Sequence, residues 1–188
     1  MECNNAEPRL IEGRGLVHIY TGDGKGKTTA AFGLAMRCRG CGGRVCIVQF
    51  LKTAPTGEVA FVEALGDPAW QVCRFESGHG FFYQMDDTKK QKLKREIGSA
   101  LAFIERLVRE GGCDMLVLDE ALGALATGLV DEAHLLEILD SRADGVEIVL
   151  TGRNAPRALI EAADYVTELL PVKHPYEHGT PARRGIEY

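Results

Sequence analysis

The chain has 188 residues, 45% of them hydrophobic and 26% charged, with a formal net charge of −5. That length implies one domain whose core needs no disulfide or metal staple, and the mild acidity argues against nucleic acid or an anionic membrane as partner. No apolar run approaches the ~20 residues that span a bilayer, and segment 1–13 lacks the apolar stretch of a signal peptide, so the cytoplasm is the expected compartment.

Residues 1–14 read as a flexible arm and 15–188 as a single domain. The apolar run 15–20 is a strand. Directly after it, Gly22-Asp23-Gly24-Lys25-Gly26-Lys27-Thr28-Thr29 opens onto an apolar helix that runs to about Arg39 and stops at Gly40, Gly42 and Gly43. Strand, glycine-rich turn and helix in succession are the setting of a phosphate-binding loop. Its backbone amides and the helix N-terminus would face a polyphosphate, with Lys27 on the terminal phosphates and the Thr28 hydroxyl on Mg²⁺ (or Mn²⁺). The usual pattern is Gly, four residues, then Gly-Lys-Ser/Thr. Here Thr21 stands in the first glycine's place and only three residues separate Gly22 from Gly26.

Residues 44–51 form a second strand, apolar on both faces as in a buried parallel sheet. A loop with Pro55 and Gly57 leads to a short helix near 58–65, and 71–75 alternates like a shorter strand. Segment 76–85 combines two glycines, His79 and the aromatics Phe81, Phe82 and Tyr83. It is either a tethered loop packed on its neighbour or a ligand-holding loop at the edge of an open α/β sheet. A long helix over 87–111 carries Leu93, Ile97, Leu101, Ile104 and Val108 on one face. Its basic start is a solvated face, so no nucleic-acid partner is expected.

The strand Met115-Leu-Val-Leu-Asp119 ends in the pair Asp119-Glu120. Downstream of a phosphate loop this matches the Walker B arrangement, in which an acidic residue takes part in holding Mg²⁺. Glu120 would activate water in a hydrolase and ligate or orient the metal in a transferase. No element is assigned over 121–145. Strand 146–151 leads to Arg153, which either touches phosphate or pairs with a surface carboxylate. A helix over 156–163, a last strand over 165–170 and a polar basic tail over 171–188 complete the chain. The fold expected is a three-layer α/β P-loop NTPase of RecA-like type with a mostly parallel sheet. The lone Cys38-Arg-Gly-Cys41 completes no zinc site, and Cys38, Cys46, Cys73 and Cys113 read as small buried hydrophobes.

Gly22-Asp-Gly-Lys-Gly-Lys-Thr-Thr-Ala-Ala-Phe-Gly, Val48-Gln-Phe-Leu-Lys52, Val117-Leu-Asp-Glu120, Leu150-Thr-Gly-Arg153 and the ending Gly185-Ile-Glu-Tyr188 together resemble the CobA/BtuR-type ATP:corrinoid adenosyltransferases. The shortened loop and the Pro-Val-Lys-His beginning at Pro171 are also traits of that family. The resemblance implies transfer of the 5′-deoxyadenosyl group of ATP to the Co(I) of a corrinoid, with release of triphosphate. It implies ATP and reduced corrinoid as substrates, a reducing flavoprotein as electron donor, and a homodimer. Lys27 and Glu120 would then be catalytic, and the metal contacts Thr28, Glu120 and Asp119. Gly22 to Thr29, with Arg37 and Arg153, would contact the nucleotide. Phe81 and His79 fall in the corrinoid-facing loop, where the family usually carries a Phe-Thr-Trp-like aromatic pair; a histidine there could ligate cobalt instead. The arm is also shorter than the one that covers the corrinoid in relatives. Two other readings fit the nucleotide loop: a RecA-like ATPase or kinase, and a non-catalytic nucleotide- or corrinoid-binding module. In the transferase reading, the tighter loop seats the phosphate chain so that the ribose C5′, rather than the γ-phosphorus, is open to attack.

Overall fold

The computed structural model describes residues 10–77 and 82–188. Its centre is a six-stranded sheet formed by β1 (Val17–Thr21), β2 (Val45–Gln49), β3 (Trp70–Cys73), β4 (Met115–Asp119), β5 (Glu147–Thr151) and β6 (Tyr165–Glu168), in the order β3-β2-β4-β5-β1-β6. Every neighbouring pair is parallel, so the sheet is wholly parallel rather than mostly so. Parallel connections need crossovers, and helices supply them: α1 (Lys27–Gly40), α2 (Gly57–Leu65), α3 (Asp87–Glu110), α4 (Ala121–Ala126), α5 (Glu132–Asp140) and α6 (Arg157–Ala162). β5 lies between the loop-bearing β1 and the Asp119-bearing β4, the RecA-like order.

Two buried clusters coat the two faces of the sheet. Ala31, Phe32 and Ala35 of α1 pack with Val62 of α2 on Val45, Ile47, Val117 and Val149. Leu93, Ile97 and Ile104 of α3 and Leu135 and Ile138 of α5 pack on Cys46, Val48, Leu116, Leu118 and Ile148. β2 and β4 are therefore buried at all five positions, which explains why they read as unbroken apolar runs. The three-layer expectation holds.

Most elements fall within a few residues of their expected places, with three differences. β3 begins at Trp70 and ends at Cys73 instead of spanning 71–75. β6 stops at Glu168, and all four of its residues are exposed, as on a sheet edge. The unassigned stretch holds α4 and α5. The start of α5 is a side-chain cap: Asp131 Oδ1 accepts from the amides of Ala133 (2.9 Å) and His134 (3.3 Å). Asp86 caps α3 by accepting from Lys89 N at 2.8 Å, and Gly111 closes it at φ 62°. Cys38, Cys46 and Cys113 are buried and Cys73 is half-buried, while Cys41 is exposed; these five cysteines are free thiols. No helix among the described residues is long and apolar enough to cross a membrane.

Candidate active site

The C-terminal ends of β1, β2, β4 and β5 meet at one edge of the sheet, the edge where open α/β folds place ligands. The phosphate loop runs from Gly22 to Gly26 between β1 and α1. Thr21, in the place of the expected first glycine, is still a strand residue. It is buried, its carbonyl accepts from Leu169 N at 2.8 Å, and its hydroxyl accepts from Ala155 N at 3.2 Å. The strand therefore continues one residue further and the loop is shorter by that residue. Gly22 takes φ 93°, and a Cβ there would come 2.4 Å from Leu169 O. A side chain at this position is excluded on both counts.

Lys27, the first residue of α1, turns its ammonium back into the loop and donates to Gly22 O (2.6 Å) and Gly24 O (2.8 Å). Burial first, then the nearby Arg153 guanidinium, lowers its pKa. Both effects favour an incoming anion, which would relieve them. The first turn of α1 opens onto a cavity of about 300 Å³ lined by Asp23 to Thr29, with Gln49, Lys52, Arg153, His174 and Glu187 among its other walls.

Beneath this cavity lies Asp119, fully buried. Its Oδ1 accepts from the hydroxyls of Thr28 (2.9 Å) and Thr151 (2.8 Å). Its Oδ2 accepts from Gln49 Nε2 (2.9 Å) and Lys52 Nζ (2.7 Å). The sheet register builds this hub: Gln49 lies opposite Asp119 across β2 and β4, and Thr151 ends the adjacent β5. Arg74 Nε donates to Gln49 Oε1 at 2.8 Å and so orients the amide. Lys52 Nζ also donates to Thr28 Oγ1 at 2.8 Å, making a triangle of ammonium, hydroxyl and carboxylate.

Glu120 follows in the left-handed region at φ 62°, its amide donating to Thr151 Oγ1 at 2.9 Å. Leu51 (φ 56°) and Asn154 (φ 54°) are the other non-glycine residues with positive φ among the described residues. Each of the three lies just beyond the C-terminal end of a strand at this edge, and backbone strain of this kind collects at functional sites. Burial raises the Glu120 pKa, against the opposing pull of Lys52. Its side chain lies over α4, where a Cβ on Gly123 would come 2.8 Å from Glu120 Oε1.

On the rim, Arg153 makes the expected pair with a surface carboxylate, Asp23, at 3.3 Å, and it also lines the cavity. The tail, polar and basic in sequence, folds back over the loop. Glu187 Oε1 meets Lys25 Nζ at 3.0 Å, and Arg183 grips the same carboxyl, whose pKa these bonds lower to about 2. Arg37, by contrast, is exposed on α1 and does not line the cavity. His79 and Phe81 lie outside the described residues. Sequence reasoning gives no role to Gln49, Lys52, Thr151 or Glu187, although all four lie inside stretches that carry the resemblance. Among the described residues no group of three or more His, Cys, Asp and Glu side chains is placed to hold a metal. The hard oxygens of Thr28, Asp119 and Glu120 suit Mg²⁺, which binds through one or two carboxylates plus substrate phosphates.

A wholly parallel sheet with Lys27 and Thr28 on a glycine loop, joined to a buried strand-end Asp119, defines a P-loop nucleotide-binding protein. The chain matches the family described as ATP:corrinoid adenosyltransferase BtuR/CobO/CobP over residues 13–188, and it belongs to that family. It is 36% identical over 177 residues to the corrinoid adenosyltransferase of Escherichia coli K12, covering 93% of this chain and 86% of that one. It is 35% identical over 176 residues to that of Pseudomonas aeruginosa, covering 93% and 84%. The corrinoid adenosyltransferase CobA of Salmonella typhimurium is 34% identical over 185 residues, covering 94% and 87%. Among solved structures, a KaiC-like protein of Pyrococcus horikoshii aligns with TM-score 0.40 and 18% identity over 96% of this chain and 76% of that one.

Proposed function

We propose that this protein transfers the 5′-deoxyadenosyl group of ATP to the cobalt of a reduced corrinoid. The observation that carries the reading is that Lys27 and Thr28 line one cavity, with the Thr28 hydroxyl bonded to the buried Asp119, in a chain of this family. In the step proposed, the Co(I) electron pair attacks C5′ and the Co–C bond forms. The C5′–O bond breaks, its electron pair leaves on triphosphate, and cobalt becomes formally Co(III). Cob(I) is nucleophilic enough to need no protein base, so this chain's residues position the substrates and stabilise the leaving group.

In that reading Lys27 exchanges its loop carbonyls for phosphate oxygens, and Arg153 joins it from the rim. Thr28, Asp119 and Glu120 hold Mg²⁺, or Mn²⁺ in its place, which supplies charge neutralisation to the departing triphosphate. The shortened loop seats the phosphate chain so that C5′ faces the corrinoid; a nucleotide complex with the γ-phosphate in ordinary P-loop register would refute this. His79 and Phe81, which lie outside the described residues, have a corrinoid-facing role by the resemblance alone. The acceptor is cob(I)yrinic acid a,c-diamide or cob(I)alamin, kept reduced by a flavoprotein, and the enzyme works as a homodimer. The deciding experiment mixes the full chain anaerobically with MgATP and chemically reduced cobalamin. The reading expects an alkyl-cobalt absorbance spectrum and triphosphate in equal amount. ADP and phosphate formed without corrinoid would make the protein an ATPase, and unchanged substrates would make it a binding module.

A further inference from the structure

An ionised carboxylate offers about four lone-pair sites, and Asp119 uses all four, on Thr28, Thr151, Gln49 and Lys52. A divalent ion can reach this carboxylate only if one donor leaves. Thr151 is fully buried and Gln49 is 2% exposed and held by Arg74. Thr28 is itself a metal-site residue. Lys52 is the donor free to go: its side chain is 26% exposed, lines the cavity and ends a flexible stem. It is also the donor with a reason to stay, because its ammonium balances the buried charge while bonding the Thr28 hydroxyl as well. Its base is fixed by Leu51, at φ 56° and with its amide donating to Glu76 Oε1 at 2.6 Å, so release moves the side chain alone.

We propose that Lys52 is a gate that makes metal binding conditional on the nucleotide. With the cavity empty, the ammonium holds Thr28 and Asp119 closed to free divalent cations. A triphosphate in the cavity offers Lys52 a new anionic partner, and the vacated oxygens then accept the ion that arrives with the nucleotide. Lys52 is thus a positioning residue for the proposed transfer, and the inference rests on the metal-dependent nucleotide site proposed above. The device keeps the site from filling with metal before substrate.

The test is a titration of the full chain with Mn²⁺ alone, followed by the electron paramagnetic resonance signal of the free ion. Lys52→Met keeps the stem and removes the charge. It should bind one Mn²⁺ without nucleotide at least about tenfold more tightly than the wild type, a modest threshold for removing a unit charge at contact distance. Thr28→Ala added to Lys52→Met should abolish the gain. Damage to the fold would lower metal affinity, so a gain separates the gate from a structural role. Should Lys52→Met fail to fold, Lys52→Gln is expected to show the same direction with a smaller gain. Equal Mn²⁺ affinity in wild type and a folded variant would overturn the gate. If wild type still takes up Mn²⁺ with ATP and Thr28→Ala does not, the nucleotide–metal site survives that failure. If ATP brings no Mn²⁺ to wild type, both readings fall.

Discussion

Replacing Asp119 by Asn changes no volume but halves the acceptors at the hub. Four donors converge on the carboxylate, two on each oxygen, and an amide accepts at one oxygen only. Whichever way the new amide turned, two donors would lose their acceptor and Lys52 would lose its counter-charge. Breaking a buried ion pair by removing one partner costs about 3–5 kcal/mol. The Lys52 side chain is 26% exposed and can turn into the cavity, which discounts the loss to about 2–4 kcal/mol. For a chain of this length each kcal/mol moves Tm by about 2–4 °C, so Asp119→Asn should melt about 4–16 °C below wild type. Circular dichroism melts of the nucleotide-free protein measure this. Adding Lys52→Met should recover part of the loss, because the two changes remove the same pair and are not additive. A shift under about 2 °C, or strict additivity in the double variant, would refute the idea that the hub is held by its charge pair.

Lys27→Ala should lower the rate of triphosphate release with reduced cobalamin by about 10²–10³-fold, the scale for losing one preorganised charge contact, and leave the melting curve nearly in place. Near-normal turnover would show that the loop does not hold the leaving group. Burial raises the pKa of Glu120, so the folded chain binds its proton more tightly than the unfolded chain and the ionised form weakens the fold. Glu120→Gln should therefore be more stable than wild type at neutral pH. That advantage should shrink as pH falls through the raised pKa and vanish below the ordinary value of 4.5, as read by urea unfolding at several pH values. An unchanged difference across that range would contradict the burial argument. Glu187→Gln should free Lys25 and tighten binding of inorganic triphosphate in isothermal titration, with the gain fading in high salt; equal or weaker binding would show that the tail does not compete for the loop.

Periodicity and punctuation were enough to place most of the fold. β2 and β4 are apolar on both faces because both are covered, and α3 carries its stripe because one face is covered. The missed α4 has no amphipathic contrast to read: Ala-Leu-Gly-Ala-Leu-Ala is apolar nearly all round because it packs under the site. The missed α5 did carry a signal, Asp131 before Leu135, Ile138 and Leu139. Lys52 and Arg153 both follow an apolar strand at the same sheet edge, so the reasoning that singled out Arg153 applied equally to Lys52.

Local chemistry was written in the sequence: a glycine loop must precede a helix to face a phosphate, and its Lys27, Thr28 and the strand-end Asp119 announce themselves by type and spacing. What only the tertiary structure decided is how distant groups share one atom's lone pairs. Thr28, the pair Gln49 and Lys52, and Thr151 come from three separate segments, and strand order with parallel pairing brings them to one buried carboxylate on a fourth. The tail's return to Lys25 across the loop is likewise a long-range closure. Spacing along a chain records neither kind of meeting, because both depend on strand order and not on sequence distance.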